Sequence, residues 1–194
     1  SSDFTGFKPE FFNGNKKMLL NNVTDYIKNR FIGQTAALAN VTHPLQELVL
    51  NINNESKPVC VELLLGSGGL GKTYLVTLLA QGLFGLENQK AKLIVINGGE
   101  LANEHDSTKV LGSPPSYVGF GEENLCDKFK REPNSIFLFD EIEKAHDKIL
   151  RLFFKAFSEG YMTDASGNNV SLKNTLIFLT SNIGVDSLLK SETI

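Results

Sequence analysis

The 194-residue chain lacks several features that would place it in other functional classes. No stretch approaches the ~18 consecutive apolar residues that a membrane-spanning helix needs, and no apolar signal region begins the sequence. Lysine and arginine form no block and the formal net charge is −3, so no basic footprint for a phosphate backbone is visible. We therefore expect neither a membrane span nor a nucleic-acid partner.

Cysteine and histidine are also scarce. The two cysteines, Cys60 and Cys126, lie far apart without metal-ligand spacing, and the three histidines form no ligand pattern. Two reduced thiols packed inside a cytoplasmic protein are expected, rather than a disulfide or a metal centre. The chain length and the hydrophobic fraction of 41% fit one globular domain with a sizeable core.

A glycine-rich segment carries the strongest chemical signal, because residues 66–73 fit the phosphate-loop pattern G-x-x-x-x-G-K-[ST]. The apolar run 61–65 predicts a buried strand before the loop, and residues 74–84 predict a helix behind it. Glycines let backbone amides converge on one anion, Lys72 would reach the β- and γ-phosphates, and the Thr73 hydroxyl would ligate Mg²⁺. The alternative is an ordinary glycine-rich turn, which both flanking elements disfavour. The predicted loop consists of Gly66, Ser67, Gly68, Gly69, Leu70, Gly71, Lys72 and Thr73.

Apolar strands and helical segments alternate along the rest of the chain. The helices are predicted at 17–30, 35–52 with a kink before Pro44, 106–111, 122–131 and 147–158. Further strands are predicted at 92–96, 135–139 and 176–180, with a small hairpin over 161–170. Near-continuous apolar strands between helices predict an α/β fold with a mainly parallel sheet that is covered on both faces.

Two polar sites follow predicted strands. Asp140 and Glu141 come at the carboxyl edge, where ligands bind in open α/β sheets. Asp140 would hold Mg²⁺ directly or through water, and Glu141 is the candidate to orient and deprotonate an attacking water. Such a pair also occurs by chance, but a preceding phosphate loop makes it significant. Asn182 could hold the lytic water and sense the γ-phosphate, or it could form an Asx turn that ends its strand.

The order of phosphate loop, Asp140-Glu141 and Asn182 resembles an AAA+ ATPase, and the intervening stretches resemble the second ATPase domain of the Clp unfoldases and disaggregases. Residues 31–34 are similar to the adenine-pocket signature of that family. Residues 140–146 are similar to its extended Walker B segment, 180–184 to its sensor 1, and 112–120 to its pore loop. The resemblance implies an ATP site that also includes Phe31, Ile32 and Tyr74.

The resemblance also implies a domain plan. Residues 1–30 would be an inter-ring linker and lead-in helix, and residues 31–194 a three-layer αβα P-loop NTPase large subdomain, truncated after sensor 1. The last edge strand, the helical lid and the arginine finger would then be absent. We accordingly expect weak nucleotide binding and poor hydrolysis by this chain alone, a monomer or weak dimer, and a first strand near an open sheet edge. The full-length protein would be a homohexamer.

Residues 112–121 contain too much glycine and proline for a regular element. Tyr117 and Val118 are apolar but sit between glycines, so we expect an exposed aromatic on a loop stiffened by Pro114-Pro115, able to grip an extended polypeptide. The resemblance implies that Tyr117 lines the axial channel of a hexamer; the alternative is a tyrosine folded inward. Two departures from the family pattern are Ser116, in place of a glycine, and Met162 in the hairpin.

Three short stretches, 57–59, 112–115 and 152–157, resemble the ClpV branch, which recycles contracted type VI secretion sheaths, more than the ClpB disaggregases. The sequence thus predicts ATP hydrolysis, with Mg²⁺, coupled to threading of a protein substrate. The alternatives are a ClpB-like disaggregase, an AAA+ nucleic-acid machine such as an initiator or clamp loader, and a non-hydrolysing scaffold. A nucleic-acid machine would want a basic face, and the intact Lys72, Asp140 and Glu141 argue against a scaffold.

Overall fold

The computed structural model describes residues 16–30, 58, 60–65 and 69–182. The described helices are α1 (Lys16–Arg30), α2 (Gly69–Phe84), α3 (Gln89–Lys92), α4 (Ser107–Leu111), α5 (Leu125–Arg131) and α6 (Asp147–Glu159). The described strands are β1 (Cys60–Leu65), β2 (Leu93–Asn97), β3 (Ile136–Asp140), β4 (Tyr161–Thr163), β5 (Asn169–Ser171) and β6 (Leu176–Ser181). Short 3₁₀ helices cover Gly98–Leu101, Glu104–Asp106 and Ile142–Lys144. The predicted helix at 35–52 lies outside the described residues.

Four strands form one parallel sheet in the order β1-β6-β3-β2, and β4 pairs with β5 in an antiparallel hairpin. The α/β prediction is therefore confirmed. Within the described sheet β1 is an edge strand, as expected, and Val61 on it is 40% exposed. Because all four strands run the same way, their carboxyl ends meet at one edge.

The core is divided by the sheet, because alternate residues of a strand point to opposite faces. Leu138 and Phe178 belong to a cluster with α1 and α2, whereas Phe139 and Leu179 belong to a second cluster with α5, α6 and the hairpin. In the second cluster the rings of Phe139 and Phe153 meet edge to face with centroids 4.8 Å apart. Helices therefore cover both faces, as near-continuous apolar strands require.

Several element boundaries differ from the predicted ones. Helix α2 begins at Gly69 rather than at residue 74, so its first turn is part of the predicted phosphate loop. Helix α5 begins at Leu125 rather than at residue 122, because Asn124 and Asp127 form a capping box there. The Asn124 side chain accepts from the Asp127 amide and the Asp127 carboxylate accepts from the Asn124 amide, each at 3.1 Å.

The unusual Met162 has a packing role. Its side chain is 3% exposed, and the Cys126 thiol donates to its Sδ across 3.6 Å. Burial raises the pKa of Cys126 to about 12, so this thiol stays protonated. The expectation of a packed, reduced thiol holds for Cys126. No helix among the described residues is long and apolar enough to cross a membrane.

Gly98 lets the end of β2 approach the end of β3. A Cβ built on Gly98 would lie 2.2 Å from the backbone oxygen of Glu141, far inside van der Waals contact. The next glycine, Gly99, has more room: its Cβ would meet the Asn97 side-chain oxygen at 3.2 Å. A side chain at position 98 would therefore push the end of β2 away from the end of β3, which carries the acidic pair.

We expect Gly98→Ala to lower the free energy of unfolding by roughly 2 kcal/mol or more, because a rigid backbone oxygen must move. Gly99→Ala is the matched control and should cost clearly less, since only a side-chain oxygen has to yield. Urea denaturation of both variants measures the difference. Equal stability of the two variants would show that the contact between Gly98 and Glu141 does not constrain the fold.

Candidate functional site

The N-terminus of α2 forms one side of the site. Residues 69–73 of the predicted loop occupy the first turn of this helix. Residues 66–68, which connect it to β1, lie outside the described part of the chain. The first amides of a helix lack intrahelical acceptors, and the helix dipole adds positive potential at that end. Residues 69–73 are thus placed where an anion is favoured.

Lys72 joins this helix to the end of β6. Its Nζ donates to the backbone oxygen of Ser181 at 2.8 Å and to Oδ1 of Asn182 at 3.3 Å. β6 is the strand next to β1, and Ser181 pairs with Leu65 at the end of β1. The lysine, on the helix that follows β1, therefore reaches the end of the neighbouring strand. Two residues more than one hundred positions apart are thereby brought together, as the sequence analysis predicted for a common site.

The carboxylate of Asp140 is held by a buried hydroxyl. Thr180, 1% exposed on β6, donates from its Oγ1 to Oδ1 of Asp140 and accepts the Glu141 amide at 3.0 Å. One hydroxyl therefore fixes both consecutive acidic residues against the neighbouring strand. Among the described residues no hydrogen bond goes to the second oxygen of Asp140. That oxygen can take a cation.

Glu141 and Asp140 have different side-chain partners, Lys144 and Thr180. The backbone of Glu141 is left-handed, with φ of 51°, and it caps the 3₁₀ helix Ile142–Lys144. Its carboxylate accepts from Lys144 Nζ at 2.7 Å, and this hydrogen bond raises the pKa of Lys144. In this arrangement the candidate base is held by an ion pair at the rim of the site.

Sequence reasoning assigned no role to Thr180 or Glu143, although both lie in stretches that resemble the family. Oε1 of Glu143 accepts the Asn182 amide at 3.2 Å, so the 3₁₀ helix is tied to the end of β6 a second time. The Asn182 side chain accepts from Lys72, whereas residues 183 and 184, which would complete an Asx turn, lie outside the described part of the chain, so both predicted roles of Asn182 stay predictions. Thr180 could have been assigned its role only from its position opposite the end of β3, and that position is known only once the strand register is known.

The donor set fits Mg²⁺. Within the described chain no three His, Cys, Asp or Glu side chains form a group that could hold a metal by themselves. Magnesium with a nucleotide needs only one or two protein oxygens, because phosphates and water complete its coordination. Asp140 and the Thr73 hydroxyl are the residues that would hold it.

Of the other residues predicted to contact the nucleotide, only Tyr74 lies in the described part of the chain. Tyr74 lies in the first turns of α2 and is 47% exposed. Phe31, Ile32, Gly66, Ser67 and Gly68 lie outside the described residues. For these positions the predicted contacts with ATP stay predictions.

Residues 114–122 form a ladder of three overlapping turns. The amides of Tyr117, Phe120 and Glu122 each donate to the carbonyl three residues earlier, all at 3.1 Å. The third position of every turn has positive φ: 73° at Ser116, 86° at Gly119 and 90° at Gly121. This is the requirement of type II turns, and proline precedes Ser116 as such turns favour. The ladder gives an irregular sequence a defined shape.

The ladder displays its apolar side chains to solvent. Tyr117 is 69% exposed, Val118 99% and Phe120 58%. The alternative with Tyr117 folded inward is therefore wrong. The structure thus presents an exposed apolar surface in addition to the polar site.

The comparisons with known proteins fit this geometry. The family model described as AAA domain (Cdc48 subfamily) matches residues 57–194, which include both strand ends and the turn ladder. The chain belongs to this AAA family.

Several curated Clp proteins resemble this AAA chain over almost its whole length. The chloroplastic chaperone ClpD of Arabidopsis thaliana is 35% identical over 99% of the chain. The AAA+ ATPase ClpV1 of Pseudomonas aeruginosa is 36% identical over 96%, and the chaperone ClpB of Mycoplasma genitalium 37% over 98%. The chain spans 20% of the length of the first two relatives and 26% of the third.

We expect Thr180→Val to lower the free energy of unfolding by about 1–3 kcal/mol, because the Glu141 amide loses its acceptor and Asp140 its donor. Thr180→Ser retains the hydroxyl and loses one buried methyl, so its cost should be smaller, about 1 kcal/mol. Denaturant unfolding of both variants tests this ranking. A valine variant as stable as the serine variant would contradict the bridging role of the hydroxyl.

Ser116 occupies a left-handed position that disfavours side chains, β-branched ones most. Ser116→Val should therefore lower the free energy of opening the turn by about 1–2 kcal/mol and speed hydrogen exchange at the Tyr117 amide. Ser116→Gly should leave this exchange unchanged or slow it. Ser113→Val, at a position without positive φ, is the control. Unchanged exchange in Ser116→Val would mean that the turn does not depend on residue 116.

Proposed function

We propose that this chain is the nucleotide-binding part of a Clp-type, ATP-dependent protein-remodelling motor. The observation that carries the proposal is the meeting of Lys72, Asp140 and Asn182 at the carboxyl edge of the sheet, joined through Ser181 and Thr180. Membership of the AAA family supports ATP as the nucleotide. The names of the relatives, chaperones and an AAA+ ATPase, support remodelling of proteins.

Each residue has a proposed role. The amides of the phosphate loop and Lys72 bind the phosphates. Thr73 and Asp140 would hold Mg²⁺, which would supply positive charge beside the phosphoryl group. Glu141 orients and deprotonates the attacking water after its ion pair with Lys144 opens. Asn182 holds the same water beside the γ-phosphate. Phe31, Ile32 and Tyr74 complete the nucleotide pocket.

The turn ladder is proposed to grip the protein substrate. Tyr117 and Val118 are exposed on a short ladder whose turns fix their direction, so they can contact an extended polypeptide without reading its sequence. We propose a cytoplasmic homohexamer in which six such ladders line a central channel. Residues 1–30 would form an inter-ring linker and lead-in helix, and residues 31–194 the large ATPase subdomain.

For the substrate, we propose the contracted sheath of a type VI secretion system, on the resemblance of residues 57–59, 112–115 and 152–157 to the ClpV branch. ClpV1 and ClpB relatives are about equally identical to the chain, so a ClpB-like disaggregase is the second candidate. An AAA+ nucleic-acid machine is disfavoured by the net charge of −3 and by the exposed apolar ladder.

The test uses the natural polypeptide that carries this segment, with Tyr117→Ala and Glu141→Gln. Glu141→Gln should bind ATP but lose roughly 10²–10⁴-fold in hydrolysis, the usual contribution of a general base. Tyr117→Ala should keep hydrolysis and lose sheath disassembly. Tyr161→Ala, which truncates another exposed tyrosine on the hairpin, is the matched control for Tyr117→Ala.

The outcomes separate the proposals. If the protein rescues an aggregated protein and has no effect on sheaths, the ClpB-like disaggregase is the correct assignment. Binding of single-stranded DNA instead of unfolded polypeptide would replace the motor with a nucleic-acid machine. Unimpaired remodelling by Tyr117→Ala would remove the turn ladder from the substrate path.

A further inference from the structure

We propose that Glu143 is a positioning residue, which fixes Asn182 at the end of β6 for its role beside the γ-phosphate. The inference rests on the proposed function, because it assigns to Glu143 an effect that passes through Asn182. It adds a residue that neither the phosphate loop nor the acidic pair includes.

Asn182 has two described attachments, and they differ in kind. Its side-chain Oδ1 accepts from Lys72 at 3.3 Å, whereas its backbone amide donates to Oε1 of Glu143 at 3.2 Å. The first attachment uses the oxygen that Asn182 would offer to water. The second leaves that oxygen available.

Nucleotide binding affects these attachments unequally. In the proposed complex Lys72 turns to the β- and γ-phosphates, so its bond to Asn182 is lost. Glu143 lies in the 3₁₀ helix that follows Asp140-Glu141, and its bond goes to the backbone amide of Asn182, so it does not depend on Lys72. During turnover, Glu143 is thus the described group that still holds the backbone of Asn182.

The base from which Glu143 reaches Asn182 is rigid. The Ile142 side chain is 1% exposed in the core, and the Glu141 amide is bonded to the buried Thr180 hydroxyl. The 3₁₀ helix and the end of β6 are therefore joined at residues 141 and 180 and again at residues 143 and 182. Two links between two elements fix orientation as well as distance, which a catalytic water-positioning group needs.

The second carboxylate oxygen of Glu143 indicates the right conservative variant. Oε2 is buried and has no hydrogen-bond partner among the described residues. A glutamine keeps the acceptor for the Asn182 amide and removes a buried charge that has no described second donor. Glu143→Gln should therefore preserve positioning, and Glu143→Ala should abolish it.

The test measures steady-state ATP hydrolysis and nucleotide affinity in the natural polypeptide. The variants are Glu143→Ala, Glu143→Gln, Asn182→Ala and the double variant of Glu143→Ala with Asn182→Ala. Glu159→Ala, which removes an exposed carboxylate at the far end of α6, is the matched control. We expect Glu143→Ala to lower kcat roughly 10- to 100-fold, the scale of a misplaced catalytic contact. KM and the affinity for a fluorescent ATP analogue should change less than about twofold, since the phosphate contacts remain.

Two further results are expected. Glu143→Gln should retain most of the kcat of the unmodified protein. The double variant should be no slower than Asn182→Ala, because both single changes remove the effect of the same positioned group, Asn182. A merely structural role for Glu143 would instead lower the denaturation midpoint of Glu143→Ala and reduce nucleotide affinity together with kcat.

Other outcomes overturn the inference at distinguishable levels. If Asn182→Ala is slow but Glu143→Ala is not, or if the two effects multiply, Glu143 does not act through Asn182 while the proposed function stands. If Asn182→Ala hydrolyses ATP at the full rate, there is no positioned group for Glu143 to hold. If the unmodified protein neither binds nor hydrolyses ATP, the proposed function fails as well.

Discussion

The site depends on the pairing of β3 with β6. This parallel register sets Phe139 against Leu179 and so carries Thr180 to the carboxylate of Asp140. A shift by one residue would turn Thr180 to the opposite face of the sheet and bury a carboxylate without its donor. The apolar residues that lock the register, from Ile136 to Phe139 on β3, are fully buried on both faces. Core packing on either side of the sheet therefore determines the position of the acidic pair.

Much of this arrangement can be predicted from local sequence. Four apolar runs, a glycine-rich loop before a helix and acidic residues at a strand end are local signals. The runs form the sheet, and the described loop residues 69–73 and the acidic pair lie at its carboxyl edge. The boundaries were less predictable, because they depend on single side chains. Helix α5 starts late since Asn124 and Asp127 cap each other, and α2 starts early since its first turn is made from loop glycines.

The contacts within the site could not be predicted, because they join residues far apart in the chain. Thr180 and Glu143 resemble ordinary strand and helix residues until strand order is known. β6 lies between β1 and β3, although it is the last of the described strands in sequence. Only that order makes the end of β6 a common neighbour of Lys72, Asp140 and the 3₁₀ helix. The turn ladder was partly predictable, since its glycines mark positive φ, but Ser116 hides the first of the three turns.

Under the proposed function, the position of Lys72 has a consequence for the rate of nucleotide exchange. Its ammonium group does not wait in solvent, because the Ser181 carbonyl and the Asn182 amide oxygen already accept from it. In the proposed nucleotide complex, an arriving phosphate would have to displace these oxygens from the lysine, so part of the attraction would offset the two lost hydrogen bonds. The same oxygens could accept from the lysine again as phosphate departs. The end of β6 would then hold Lys72 between turnovers and favour exchange of nucleotide over tight retention of product.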